Sequence, residues 1–400
     1  MRRELSDVLK TIKPSITMGV TAIANELKRS GKTVYSFGAG EPDFKVAEPV
    51  KQASIEAVKM DLSKYTDVEG LPELREAAAD SLNAANGTNY TPKEIIVSSG
   101  AKHSLFTAIC AICSNGDEVI IPTPSWVSYE EMTKVAGAVP VMVPTRRENR
   151  FILQPDELRA AVTDRTKILL LNNPSNPVGS VYTRDELKAA AEVCLEYGIY
   201  IISDEIYDRF IYDGIKFHST AALSEEIKDI TLTVNGFSKT YAMPGWRVGY
   251  TAAPEYIIKA MSTVQGHCVS HPSTVSQYAA AAALKADQSF VDEMLEEYAR
   301  RRKYFRDFLV SVPGLSFIEP QGAFYYFVDI SEHIGLSYGG TVITDDLAYT
   351  KLLLENKYVV CVPGSFFGAK NFIRFSYAAD MHDIECGLSL YSDFINELRQ

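Results

Sequence analysis

Cysteine is scarce in this chain, with six in 400 residues. That is too sparse for a disulfide framework, so a reducing cytoplasm is the expected location. Cys110 and Cys113 form a lone C-x-x-C inside the apolar stretch Leu105 to Cys113. Without a second pair, it reads as core packing and not as a zinc or redox site. The six histidines show no H-E-x-x-H or other metal-ligand spacing, and no metal is expected. No apolar run approaches the roughly 20 residues of a membrane span. Met1 to Val20 has early arginines but no apolar stretch long enough for a signal peptide. Positive charge is also short, with 40 Lys and Arg against 51 Asp and Glu and a formal net charge of −11. A nucleic-acid partner would want a basic face, so none is expected. Repeats, low-complexity tracts and flexible linkers are missing too.

What is there suits a large soluble enzyme. Hydrophobic residues make up 46% of the chain, enough to fill a large core in two or more domains. Continuous apolar runs at Glu94–Val97, Asp117–Ile121, Lys167–Leu171, Tyr200–Ser203 and Ile230–Val234 read as strands. Between them, Ala101–Ile112 and Arg184–Tyr197 read as helices. Runs of this kind are typical of buried parallel strands, and the alternation predicts an α/β sheet covered on both faces. Ligand groups should then gather at the carboxyl ends of the strands. From about Asp287 to Leu309 apolar residues recur at helical spacing, predicting a long helix that leads into a different C-terminal unit. Ala323–Val328 and Asn371–Tyr377 in that unit are strand-like.

The most informative segment is Ser238-Lys239-Thr240-Tyr241-Ala242-Met243-Pro244-Gly245-Trp246-Arg247-Val248-Gly249-Tyr250. A lysine amine forms a Schiff base with an aldehyde, and an arginine fork holds a phosphate on two oxygens. Pyridoxal 5′-phosphate carries both groups. The segment resembles the lysine signature of the class I aminotransferases, the aspartate aminotransferase family. Other motifs follow in the family's order. Gly38-Ala39-Gly40-Glu41-Pro42-Asp43-Phe44 is similar to its A-G-E-P-D-F element, where Gly40 would let backbone approach the substrate α-carboxylate. Ser98-Ser99-Gly100-Ala101-Lys102 ends a strand and opens a helix, a turn suited to an anion. In the family this turn receives the cofactor phosphate, which singles out Gly100, Ala101 and Lys102. In one branch a lysine at Lys102's position instead binds the distal carboxylate of a dicarboxylic substrate. Both roles stay open.

The resemblance assigns the remaining residues one by one. Trp126 would stack on the cofactor ring and exclude water. Asn172-Asn-Pro-Ser-Asn-Pro-Val-Gly179 matches the N-x-P-x-N-P-x-G loop, with Asn176 bonding the ring's phenolic oxygen and a substrate carboxylate. Asp204 in Ser203-Asp-Glu-Ile-Tyr207 would keep the ring nitrogen protonated, and Tyr207 would bond the phenolic oxygen and lower the imine pKa. Ser238 and Arg247 would hold the phosphate. Tyr65 matches a tyrosine that reaches the other subunit's cofactor, implying a homodimer with shared active sites. Arg374, an arginine inside an apolar strand, needs a buried anion, and the resemblance makes that anion the substrate α-carboxylate. Lys13-Pro14-Ser15-Ile16-Thr17 together with Lys102 resembles members that accept aspartate and 2-oxoglutarate, some of which also aminate prephenate. Thr17 and Lys102 would face the distal carboxylate.

The fold implied is that of the pyridoxal-phosphate-dependent transferases of fold type I. It is α/β, with a large cofactor-binding domain (46–295) on a mostly parallel seven-stranded sheet. A small α/β domain is formed by both chain ends (1–45 and 296–400). The reaction implied is ping-pong transamination between L-aspartate and 2-oxoglutarate through a Lys239 Schiff base. Lys239, Asp204 and Tyr207 are the expected catalytic residues. Two alternatives share the cofactor cradle: an aminotransferase for aromatic or neutral amino acids, and a β-lyase. A regulator on this scaffold would need a DNA-binding domain, and the stretch before Gly38 is too short for one. The chain departs from its relatives at Pro244 and Val178, where Thr is usual, and Arg146 and Arg147 open a stretch that does not align.

Overall fold

Strands whose residues are apolar on both faces have to be sandwiched, and seven of them here form the central sheet. Their order is Ile95–Ser98, Gly249–Ala252, Thr231–Gly236, Tyr200–Asp204, Thr166–Asn172, Glu118–Thr123 and Val139–Pro144. Only Gly249–Ala252 pairs antiparallel with its neighbours; the other pairings are parallel. The structure, a computed structural model, describes residues 5–13 and 16–400, without the side chains of 16–21.

Side chains alternate across the sheet, as the strand period requires. Val119, Ile121, Ile168, Leu170 and Ile202 pack on one face with Leu105 and Ile109 from the helix Ala101–Ile112 and Met261 from Glu255–Cys268. Ile120, Leu169, Leu171 and Ile201 point the other way, onto Leu187, Ala190 and Cys194 of the helix Arg184–Tyr197. That helix starts and stops where its chemistry says. Thr183 and Glu186 form a reciprocal capping box, and Gly198 closes the end at φ +67°.

The chain ends build a second unit. Val362–Pro363, Phe372–Ser376, Tyr325–Asp329 and Ser316–Phe317 form an antiparallel sheet in that order. Tyr35–Ser36 pairs parallel with Val359–Val360, and Ser376 N donates to Phe37 O at 2.7 Å. Aromatic rings fill this core, with Phe37, Tyr298, Phe305, Phe324, Tyr326, Phe375 and Tyr377 buried together. These pairings join segments from both ends of the chain. The helix Ser289–Ser311 runs continuously across the expected boundary between 46–295 and 296–400.

Among the described residues no helix is long and apolar enough to cross a membrane. Burial pushes the Cys113 thiol up to about 12, the wrong direction for a reactive or ligating sulfur. Val139–Pro144 was not expected as a strand from its sequence. Pro140 and Pro144 break its apolar run, and it can carry them because it lies at the sheet edge.

Candidate active site

Parallel strands end together, so the turns that leave them share one rim of the sheet. Register places Asn172 beside Asp204, Asp204 beside Val234, and both Ser98 and Gly236 beside Gly249. Almost every residue singled out above sits on this rim or faces it from the small unit.

Lys239 follows the strand Thr231–Gly236 and points back over the rim. Its amine donates to Gly40 O, and lies 5.9 Å from the Phe324 ring centroid and 6.0 Å from that of Tyr207. Desolvation lowers its pKa to about 8, with Glu41 opposing and Arg374 and Arg247 assisting. An amine so depressed is half neutral near pH 8 and can act as nucleophile and base. Arg301 holds the loop that supplies Gly40, donating to Asp43 Oδ1 at 2.8 Å.

Asp204 ends its strand only 3% exposed. Tyr129 donates to its Oδ2 at 2.7 Å and Ile206 N to its Oδ1 at 3.2 Å. Burial raises its pKa to about 6, opposed by those hydrogen bonds and by Lys239. A buried carboxylate held this way is an acceptor for a cationic ring N–H.

Arg374 is 2% exposed, on the strand Phe372–Ser376. Nη1 donates to Asn176 Oδ1 and Nη2 to Gly38 O, each at 2.9 Å. Its Nε is buried without a partner. Among the described residues no carboxylate pairs with it. The guanidinium lies 4.4 Å over the Tyr325 ring and 4.9 Å over that of Phe367. Asn176 is itself held by its N–H donating to Asn172 Oδ1 at 2.7 Å. A buried cation lacking an anion is an unfinished site.

Gly100, Ala101 and Arg247 meet at the start of the helix Ala101–Ile112. Gly100 has φ +86°, and a Cβ there would stand 2.6 Å from Arg247 Nη2. A Cβ on Gly249 would collide with Ala101 N. Both glycines keep the helix N-terminus and the guanidinium in close approach, and the first N–H groups of a helix favour an anion. Ser238, next to Lys239 in the sequence, is half-buried.

Lys102 lays its ammonium 4.8 Å over the Trp126 ring, and desolvation and Arg247 depress its pKa. Trp126 meets Tyr129 edge-on at 5.3 Å, linking this wall to Asp204. Both Lys102 and Trp126 line a cleft of about 510 Å³ with Lys13, Phe106, Met132 and Met142.

The resemblance assigns Tyr65 to the other subunit's site and not to this chain's own. Tyr65 is 91% exposed and touches His271 edge-on at 5.6 Å, reaching none of the residues above. Thr17 belongs to the helix Ile16–Arg29, but its side chain lies outside the described residues, as do Pro14 and Ser15. Sequence reading overlooked Tyr129 and Tyr325. Tyr325 stands within the apolar run Ala323–Val328, where it reads as core; its only hint is a phenol in a run whose one other polar side-chain atom is the hydroxyl of Tyr326.

With this geometry in hand, comparison with known proteins is direct. The family model for aminotransferase class I and II matches residues 32–387. A probable aspartate/prephenate aminotransferase of Aquifex aeolicus is 44% identical over 400 residues, covering 100% of both chains. The crystal structure of the Rhizobium meliloti aspartate aminotransferase superposes with a TM-score of 0.96 at 38% identity, covering 100% of both chains. That of Thermus thermophilus with maleate gives 0.92 at 39%, covering 98% of this chain and 100% of the other. The fold is that of the fold-type I aminotransferases, and the chain belongs to the class I and II aminotransferase family.

Proposed function

We propose that this aminotransferase uses pyridoxal 5′-phosphate to move the amino group between L-aspartate and 2-oxoglutarate. The carrying observation is Arg374, a buried guanidinium with a free Nε and no carboxylate partner among the described residues, facing the rim that bears a desolvated lysine. A second cation, Lys102, waits in the adjoining cleft. Two cations suit the two carboxylates of aspartate, and the Thermus relative was solved with maleate.

The residues fit the cofactor. Gly100, Ala101, Ser238 and Arg247 would take its phosphate, Trp126 its ring face, Asp204 its ring nitrogen, and Asn176 and Tyr207 its phenolic oxygen. When bound, it supplies an aldehyde carbon for Lys239 and a ring that withdraws electrons from the substrate α-carbon. Arg374 grips the α-carboxylate by its guanidinium edge, and the position of Gly40 lets backbone lie close to it. Lys239, once its amine is released, takes the proton from the substrate α-carbon and returns it as acid. Phe324 and the other aromatic walls keep water from that proton.

The visible absorption spectrum, before and after adding L-aspartate without a keto acid, tests this reading. Loss of the visible band with growth of the band of the aminated cofactor is expected. A yellow protein that ignores aspartate would sink the substrate assignment and leave a neutral or aromatic substrate, or a β-lyase reaction.

The cleft also favours a bulkier dicarboxylate. Its volume of about 510 Å³ exceeds what a four-carbon substrate needs, and Phe106, Met132, Val135 and Met142 give it an apolar wall beside Lys13, Glu130 and Glu131. Prephenate, named in the Aquifex relative's activity, has a ring for that wall and a second carboxylate for Lys102. Lys102→Ala should raise KM for aspartate roughly tenfold or more, the loss of one charge-assisted contact, and leave a neutral substrate nearly untouched. Equal effects on both would move Lys102 to the phosphate cradle. Gly100→Ala forces a side chain into a left-handed backbone position against Arg247. Cofactor affinity, read by titration of the apoenzyme, should fall about tenfold or more; an unchanged affinity would remove Gly100 from the cradle.

A homodimer completes the proposal. Tyr65, Val58 and Met60, close in sequence, are 91%, 64% and 67% exposed, apolar surface that a second copy would cover. Scattered free cysteines support a cytoplasmic location.

A further inference from the structure

A buried phenol needs a reason. Tyr325 is fully buried on the strand Tyr325–Asp329, packed against Phe324 at 4.7 Å. Phenylalanine would fill that volume without the cost of desolvating a hydroxyl. Among the described residues that hydroxyl has a single hydrogen-bond partner, the hydroxyl of Tyr207 at 2.8 Å. Tyr207's hydroxyl likewise has no other. Gly40 leaves room for the pair, since a Cβ there would stand 3.0 Å from the Tyr325 oxygen. The face of the same Tyr325 ring carries the guanidinium of Arg374 at 4.4 Å.

Each phenol has one proton to give. If Tyr207 is to donate to the cofactor's ring oxygen, the proton between the two phenols must come from Tyr325. We infer that Tyr325 is a positioning residue: its hydroxyl donates to Tyr207 and so aims Tyr207's proton at the cofactor, while its ring supports Arg374 for the substrate carboxylate. The inference rests on the function proposed above. One side chain thereby braces both halves of the site, the cofactor's oxygen and the substrate's carboxylate. Charged groups facing the pair are Arg374, Asp204 and Lys239, and removing the Tyr325 hydroxyl alters none of them chemically.

The test is a pH titration of the holoenzyme's visible absorption in wild type, Tyr325→Phe, Tyr207→Phe and the double variant. Tyr325→Phe should move the midpoint up by roughly half to one pH unit, the scale of one neutral hydrogen bond. On the Tyr207→Phe background the same change should add nothing, because its effect travels through Tyr207. Tyr325→Phe should keep KM for aspartate, whereas Tyr325→Leu, which loses the ring under Arg374, should raise it about tenfold. An unmoved midpoint in Tyr325→Phe, or a full shift that persists without Tyr207, would overturn the inference and leave the cofactor reading standing. A wild-type protein that takes up no cofactor and shows no visible band would overturn both.

Discussion

Lys239→Ala is expected to lose at least about 10⁴-fold in kcat, the scale of removing a positioned nucleophile and general base. No other amine can take over its place, since Lys239 is the lysine that reaches Gly40 O between the Phe324 and Tyr207 rings. The fold should tolerate the change. Desolvation already opposes the charge on this amine, holding its pKa at about 8, and buried Asp204, which loses a favourable charge, keeps its hydrogen bonds from Tyr129 and Ile206 N. The variant should therefore keep a wild-type near-ultraviolet circular dichroism spectrum and still bind cofactor non-covalently. Steady-state turnover and the absorption spectrum check this together. Substantial multiple turnover would defeat the Schiff-base assignment.

Arg374→Leu should lower kcat/KM for aspartate by about 10²–10³-fold, as when one partner of a buried charge pair is truncated. The loss arises from the substrate carboxylate, which would enter an apolar pocket with no cation. Asn176 Oδ1 and Gly38 O also lose their donor. Arg374→Lys keeps the charge but offers a point and not a fork, and should recover only part of the rate. Comparison of aspartate with an amine lacking the α-carboxylate separates the causes. If Arg374→Leu keeps kcat/KM within about tenfold, the carboxylate is held elsewhere.

The helices were the most legible elements. Ala101–Ile112 and Arg184–Tyr197 have the limits their sequences predict, because Gly100, Thr183 and Gly198 mark their ends chemically. Strands read one or two residues short at their carboxyl ends. Those last residues are polar for reasons outside the strand: Asn172 accepts from Asn176 N, Asp204 from Tyr129, and Ser98 donates to Gln265 Oε1. A rule that extends strands by hydrophobicity stops at such residues. The family resemblance singled out Lys239, Asp204, Asn176, Gly40 and Arg374, and the structure puts the first three at the rim of the central sheet with Gly40 and Arg374 facing them. Tyr129 and Tyr325 stayed hidden for a different reason. Their significance lies in partners 75 and 118 residues away, and nothing in the local pattern distinguishes them from core tyrosines.

The lone reversed strand has a consequence for how the site comes into being. Thr231–Gly236 and Gly249–Ala252 are antiparallel neighbours, so the segment joining them starts and ends at the same rim. It carries both Lys239 and Arg247, and a short loop closes at little entropic cost. The contact from Arg374 to Gly38 spans 336 residues and forms only when both ends of the chain meet. Lys239 and Arg247 thus come from one chain excursion that meets Gly100 and Ala101 across the central sheet, whereas the Arg374 end needs the two ends of the chain. When the chain ends loosen, selectivity for the substrate goes first and the hold on the cofactor last.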